Sequence, residues 1–520
     1  MRQIHNLIIG AGPAGLQLAH LLGRQGQEYL VLERSDHAGS FFSHYPRHGR
    51  LLSINKRYTG CSDLESRRRY DWNSLLCDDE DLQFTRFTRD YFPSAEDLVA
   101  YLVAFAERFE LHVEYRRVVT RVCARDQGFE VTTEDGEVFG CARLFVATGM
   151  ARVNLPEFPG VELCESYDRF SVDPEDYVDQ RVFIVGKGNS AFETANELVP
   201  TTKKIWVCGT RTIKLAWATH YVGDLRAVNN DFLDTYQLKA QNNVLDGEVR
   251  SVRRGDEGEL VASVWFSSRQ QQLEYRCDRV LLCTGFRTDF DIFDESCTPE
   301  RRLGDRLPLM TCEWESVNVP NMFFVGTLMQ SRDYHKTMSA FIHGFRHNVD
   351  ALVKLLAVRD GHEGWPGQRR LPATGPALVD TLLERLSTSA PLLLQPGFIG
   401  DVIVPSADGS TVDYRPDVPV DFVRERLLGE GAGSLYLVTL EYGEHDGSMD
   451  PFAMPRGVGV VEDFYLHPVI RRYEGGALVD RFWLPDDLDN DWRELLEHRE
   501  SLGRWLEAAL GASSMGRDLG

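Results

Sequence analysis

The chain has 520 residues, 43% of them hydrophobic and 26% charged, and carries a net charge of −22. That length exceeds a single hydrophobic core and predicts about three domains, while the acidic balance argues against nucleic acid as a partner. No stretch approaches the roughly 18 apolar residues that span a bilayer, and a first strand beginning at Ile4 leaves no room for a signal peptide, so no membrane span and a cytoplasmic location are expected.

In chain order, Asn6-Leu7-Ile8-Ile9 predicts a strand, Leu16, Ala19, His20 and Leu22 recur at helical spacing, and Glu28 to Glu33 predicts a second strand. Between strand and helix stands Gly10-Ala11-Gly12-Pro13-Ala14-Gly15. Gly10 permits the tight turn, Gly12 lets the backbone approach a pyrophosphate, and Gly15 lets helix and strand pack closely. The helix then starts at Pro13-Ala14 and offers unpaired N–H groups to phosphate. Glu33, followed by Arg34, suits the ribose hydroxyls, so this turn predicts an FAD site. An apolar strand ends at Thr148-Gly149, as suits a chain leaving a buried sheet beside bound cofactor.

The same unit recurs. Val182-Phe183-Ile184-Val185 leads into Gly186-Lys187-Gly188-Asn189-Ser190-Ala191, and Lys204 to Cys208 predicts its second strand. No acid follows; Gly209-Thr210-Arg211-Thr212-Ile213-Lys214 stands there instead. An acid would repel a 2′-phosphate, whereas Arg211 can pair with one in a bidentate fork, assisted by Lys214. This turn predicts NADPH. A further strand ends at Thr284-Gly285, a last one at Phe324-Val325-Gly326, and a helix follows with Phe341, Phe345, Val349, Leu352 and Leu356 on one face.

The expected fold class is α/β: two Rossmann-like dinucleotide-binding domains, the NADPH domain (162–275) inserted in a discontinuous FAD domain (1–161 and 276–358). A Gly-, Pro- and Arg-rich linker (359–376) and a C-terminal α+β extension (377–520) complete the chain. The 10 cysteines lie between Cys61 and Cys312 with no Cys-x-x-Cys pair, which predicts free thiols and argues against dithiol chemistry. No metal site is expected.

The order of FAD turn, Thr-Gly strand, NADPH turn and second Thr-Gly strand resembles class B flavin-dependent monooxygenases, which include flavin-containing monooxygenases, Baeyer–Villiger enzymes and amine N-hydroxylases. Gly39-Ser40-Phe41-Phe42-Ser43-His44-Tyr45-Pro46 is similar to the family's stretch beside the flavin, placing Ser40 and Phe41 there. Longer runs, among them Tyr45-Pro46-Arg47-His48, Trp217 to Arg226 and Phe341 to Arg346, resemble a branch found in the animal endoplasmic reticulum. One mark differs: the stretch from Phe158-Pro159-Gly160 to Tyr167 lacks the His of the family fingerprint.

The resemblance implies FAD, NADPH, molecular oxygen and a small-molecule substrate, with oxygen transferred from a peroxide on flavin carbon 4a. Ser53 to Arg57 falls where the family places polar residues over the flavin, so Asn55 and Lys56 are expected catalytic or substrate-binding residues. Trp217 to Lys239 supplies His220, Tyr221, Arg226 and Asn230 as pocket candidates, Arg287 is a third possible carboxylate clamp, and His335 is expected near the flavin's pyrimidine end. N-hydroxylation of an amino acid or amine is the preferred reaction, with Lys56, Arg226 and Arg287 as anion anchors. A disulfide or quinone reductase, with Cys61 and Cys77 nearest the flavin, and a flavin-binding scaffold whose C-terminal part recruits partners are the alternatives. A homo-oligomer is left open.

Overall fold

The strand Arg2–Ile9 buries Leu7 and Ile8 completely within a seven-stranded sheet. Its parallel neighbours are Tyr29–Leu32, which sets Leu32 beside Ile9, and Val138–Val146, which sets Val146 beside Ile9. Near-continuous apolar runs of this kind suit strands covered on both faces. Beyond it, Val138–Val146 divides its far edge: Val138 to Cys141 pair antiparallel with Gly128–Thr133, and Leu144 to Val146 pair parallel with Met322–Phe324. Helices Pro13–Arg24 and Ile342–Arg359 pack against one another over this sheet. This computed structural model describes residues 1–239, 241–429, 433–443, 453 and 465–515.

A second sheet has five parallel strands in the order Asn243–Asp246, Lys204–Gly209, Arg181–Val185, Arg279–Leu282 and Glu165–Ser166. This corrects the expected division at residue 276. The strand leading to Thr284-Gly285 belongs to the second sheet, with Val280 beside Phe183, not to the first. Its apolar run reads alike in either sheet, so the partner is set by the chain's return path and not by local pattern. A three-stranded antiparallel meander, Glu248–Arg254, Leu260–Phe266 and Gln271–Cys277, packs behind this sheet through Ala262 and Val264.

The expected linker is also shorter than 359–376. Strand Arg369–Pro372 pairs with Thr411–Pro419 and opens a six-stranded antiparallel C-terminal sheet. Helices Gly375–Thr388 and Leu496–Met515 cover one face, burying Leu382, Leu386, Leu502 and Leu506 together. The other face meets the first unit: Phe398, Val402, Val418 and Leu437 share a core with Val349, Leu352 and Leu356 of the helix Ile342–Arg359. No helix among the described residues is long and apolar enough to cross a membrane.

Charge joins the same two units. Asp417 accepts hydrogen bonds from Lys354 Nζ at 3.0 Å and Arg385 Nη2 at 2.6 Å, and Arg385 also forks onto Asp401 at 2.9 and 3.1 Å. Burial works to raise the Asp417 pKa, but Lys354 and Arg385 outweigh it and hold the carboxyl well below the ordinary range. The depressed value means that the stabilisation is complete above about pH 4 and is lost as pH falls further. Asp417→Asn keeps the shape and the left-handed backbone, φ 59°, but removes the charge that Lys354 and Arg385 share, leaving Lys354 with Asp350 and Arg385 with Asp401. It lowers stability by about 2 kcal/mol at neutral pH, and thermal melts of the two proteins converge as the medium is acidified; parallel melting curves at every pH contradict the assignment.

Candidate functional site

Both glycine turns sit at the carboxyl ends of parallel strands, where α/β sheets bind ligands. Gly10 has φ +106° and a Cβ there would meet the Ala147 carbonyl oxygen at 2.8 Å; Gly186 has φ +128° and would meet the Cys283 carbonyl oxygen at 2.1 Å. Only glycine fits either position. Helices Pro13–Arg24 and Asn189–Leu198 begin at Gly12 and Gly188 with no side-chain cap and no acid in the first turn. Space is open above both: a Cβ on Gly12 or Gly188 would meet nothing within 4 Å. Two uncapped helix N-termini with open space before them are cradles for phosphate.

The two turns open on one cavity of about 1570 Å³, larger than the roughly 300–1,000 Å³ of an ordinary small-molecule site. Gly10, Gly12, Pro13, Ala14, Glu33, Arg34, Ser40, Phe41, Thr148, Gly149 and Gly326 line it from the first unit. Gly186, Gly188, Asn189, Ser190, Arg211, Lys214, Thr284 and Gly285 line it from the second. Gly15 serves packing only, since its Cβ would stand 1.9 Å from the Gly10 carbonyl oxygen. Buried Glu33 is already engaged: Oε2 accepts from Ala11 N at 2.8 Å, and Oε1 from Ser35 N and Ser40 Oγ, each at 3.0 Å. It therefore braces the glycine turn as well as facing the cavity. Thr148 Oγ1 is buried at the wall without a hydrogen-bond partner. Arg211 and Lys214 are exposed at the rim, and Lys187, between the second turn's glycines, is paired with Asp246.

The expected substrate residues divide. Tyr221, Arg226 and His335 line the cavity, with Tyr221 stacked on His335 at 4.9 Å. Asn55, Lys56, His220, Asn230 and Arg287 do not, among the described residues. Asn55 is buried and donates through Nδ2 to the Thr88 and Asp90 carbonyls at 3.1 and 3.2 Å, a fold-holding role. Lys56 alternates to the solvent side of the same segment. The His220 ring instead stacks on Tyr442 of the C-terminal sheet at 4.5 Å. Asn230 closes the short helical turn Ala227–Asn229, and Arg287 is exposed on a two-stranded ribbon, the nearby Asp289 and Asp291 being held by Arg152. Cys61 and Cys77 are likewise absent from the wall; Cys208 and Cys283 line it, both buried.

Asn189, read as a cofactor contact, has a further task. Its Nδ2 donates to Gly223 and Asp224 carbonyls at 3.2 and 2.9 Å, and its Oδ1 accepts from Arg226 N at 2.9 Å. The nucleotide turn thus positions the segment that presents Arg226.

Four residues escaped the sequence reading. Tyr167 lies in the stretch that lacks the fingerprint His and stacks on Tyr45 at 5.8 Å; Phe286 closes on Tyr45 at 5.0 Å. Together they form an aromatic wall between the units. Trp72 lies beneath the Arg226 guanidinium, 5.3 Å from its ring centroid. Glu193 faces the cavity from the helix Asn189–Leu198. Burial, with the Glu197 charge, pushes its carboxyl up to about 8 despite a hydrogen bond from Tyr167. Its position after the second turn was the only available signal. His343, on the helix Ile342–Arg359, is buried and also borders the cavity.

Two dinucleotide-binding units that share one cavity define an oxidoreductase working with a flavin and a pyridine nucleotide. Residues 7–326 match the pyridine nucleotide-disulphide oxidoreductase family, and the chain belongs to that family. It uses FAD and NADPH. The FAD-dependent oxidoreductase domain-containing protein 2 of Mus musculus is 37% identical over 504 residues, covering 90% of this chain and 75% of the mouse protein. Human flavin-containing monooxygenase 5 is 28% identical over 240 residues, 42% of this chain and 41% of that one. Among solved structures, a flavin-containing monooxygenase from Stenotrophomonas maltophilia is similar with TM-score 0.55 and 18% identity, covering 69% of this chain and all (100%) of that one. The bacillithiol disulfide reductase of Staphylococcus aureus is similar with TM-score 0.53 and 18% identity, covering 69% and 99%. Both share the fold of the two nucleotide units.

The raised Glu193 carboxyl gives a linkage test. The folded protein keeps a proton there that the unfolded chain releases near pH 4 to 5, about the ordinary glutamate range. Stability therefore falls as pH rises from that range to about 8, the folded-state value. Glu193→Gln removes the titration, so its melting temperature declines less between pH 5 and pH 8. Identical pH profiles for the two proteins would refute a protonated Glu193.

Proposed function

We propose that FAD binds at the Gly10–Gly15 turn and NADPH at the Gly186–Ala191 turn, and that the chain is a monooxygenase adding one atom of dioxygen to a small metabolite. The observation that carries the reading is the meeting of both turns on one cavity whose cysteines are unsuited to thiol exchange. Burial pushes the thiols of Cys208 and Cys283 each up to about 12, so neither is a ready nucleophile at neutral pH. Bound flavin supplies a two-electron carrier between nicotinamide and dioxygen.

The chain's own residues bind, orient and exclude water. Arg211 and Lys214 receive the 2′-phosphate of NADPH, and the helix beginning at Gly188 receives its pyrophosphate. Phe41, Tyr45, Tyr167 and Phe286 close the space between the units to water, Phe41 standing 5.0 Å from Tyr45. Glu193 Oε1 lacks a protein partner, so the protonated carboxyl holds a proton at the cavity wall. N-hydroxylation of an amino acid or amine is the preferred reaction. Of the three expected anion anchors, Lys56 and Arg287 lie outside the cavity, and Arg226 supports this preference alone.

The test is NADPH oxidation under isotopically labelled dioxygen with a panel of amino acids and amines, followed by mass analysis. Substrate-stimulated oxidation with one labelled oxygen in the product is expected, as a hydroxylamine for the preferred reaction. Oxidation that delivers electrons to a quinone or disulfide, with no labelled product from any substrate, would favour the reductase reading. Arg211→Ala raises KM for NADPH about tenfold or more by removing a charge-assisted contact, and leaves KM for NADH nearly unchanged. An equal change for both nucleotides would show that Arg211 does not read the 2′-phosphate.

A further inference from the structure

Arg226, half-buried, differs from several other inward-lying arginines in how its charge is met. Arg47 donates to two main-chain carbonyls at 2.6 and 2.7 Å, and Arg346 to two at 2.7 and 2.8 Å. Arg332 and Arg385 meet carboxylates. The Arg226 side chain donates once, from Nη1 to the Leu52 carbonyl at 2.8 Å, and rests on the Trp72 ring. Burial lowers its pKa, and the opposing charge it meets is the Tyr91 phenol. A guanidinium has five N–H donors and cannot shed its proton. The rest of this fork therefore faces the cavity without an acceptor among the described residues.

A second unpartnered group also packs on Trp72. The His343 ring stacks on Trp72 at 4.4 Å and 22°. Its side of the helix Ile342–Arg359 is sealed: the residue is 2% exposed, and neither ring nitrogen has a hydrogen-bond partner. Such a group costs free energy in the absence of a partner. Leu52, Trp72, Arg226, Phe341 and His343 all line the cavity that the two nucleotide turns share.

We propose that Arg226 and Trp72, backed by the stacked His343 ring, form the substrate's anchoring subsite, and that it takes a small organic carboxylate: the anionic end is held by the free side of the Arg226 fork, with Leu52 and Phe341 covering an apolar portion. This rests on the reading of the cavity as an oxygenation site and narrows its substrates to carboxylates, excluding simple cationic amines that lack an acid group. The geometry also explains why the Asn189 side chain fixes the Arg226 backbone: a fork must be pre-aligned to bind a carboxylate in two places.

The test is anaerobic titration calorimetry of the FAD-loaded protein with benzoate, phenylacetate and hydrocinnamate, each against its neutral amide. At least one acid is expected to bind about tenfold or more tightly than its amide, as a charge-assisted pair requires. Arg226→Gln abolishes that preference, and Arg226→Lys, which keeps the charge but not the fork, restores part of it. Equal affinity of every acid and its amide overturns the proposal, as does unchanged acid binding in an Arg226→Gln protein that retains FAD. Should that variant fail to retain FAD, the acid-against-amide contrast in the unaltered protein decides. No turnover enters the measurement. Carboxylate binding without any oxygenated product would sink the monooxygenase reading alone; oxygenation without carboxylate preference would sink the subsite alone.

Discussion

Two helices in this chain begin at a glycine that offers no side-chain acceptor and opens directly on the cavity. At other helix starts a side chain supplies the acceptor: Asp63, Ser94 and Asp173 each cap the helix that follows, a contact worth about 1 kcal/mol. Pro13–Arg24 and Asn189–Leu198 instead start at glycine, with the cavity before them. In a protein of net charge −22, these are positions where backbone dipoles point positive ends into a shared space. An anionic ligand completes each helix, so nucleotide binding and local stability are one equilibrium.

Completing the turns organises the space between them. Val138–Val146 carries the first sheet to Thr148, and Arg279–Leu282 carries the second to Thr284, so both strands deliver the chain to the same wall. Asn189 turns from the second glycine motif to hold the backbone at Gly223, Asp224 and Arg226. Geometry at the nucleotide turn is thereby passed to the residues proposed to meet substrate, through hydrogen bonds and not through proximity alone.

The glycine turns, their helices and the apolar strands were legible because each depends on residues adjacent in sequence. Glu33 and Arg211, singled out from the residues beside each turn, both face the cavity. What failed were inferences about direction and partner. Strand Arg279–Leu282 has an apolar run that either sheet would accept, and its pairing with Arg181–Val185 is a long-range choice. Asn55 and Lys56 sit two and three residues from cavity-lining Ser53, yet one turns inward to main-chain carbonyls and the other outward to solvent. Trp72 and His343 become neighbours only through folding, so neither showed its role locally. The C-terminal sheet offered no motif to read; it packs on the helix Ile342–Arg359 and shares its charges.

That packing has an outcome for how the molecule is made. The buried guanidinium of Arg69 donates to the main-chain carbonyls of Ser387 and, at 3.0 Å, Asn490. Its acceptors stand 318 and 421 residues further along the chain. During synthesis, at about 5–20 residues per second, the amino-terminal unit emerges long before the carbonyls that will satisfy one of its own buried cations. The nucleotide fold can form early, but its side facing the C-terminal sheet waits with unsatisfied charge and apolar surface until Ser387 and Asn490 have been made. That side of the amino-terminal unit is therefore completed by Ser387 and Asn490, far along the chain from the arginine they satisfy.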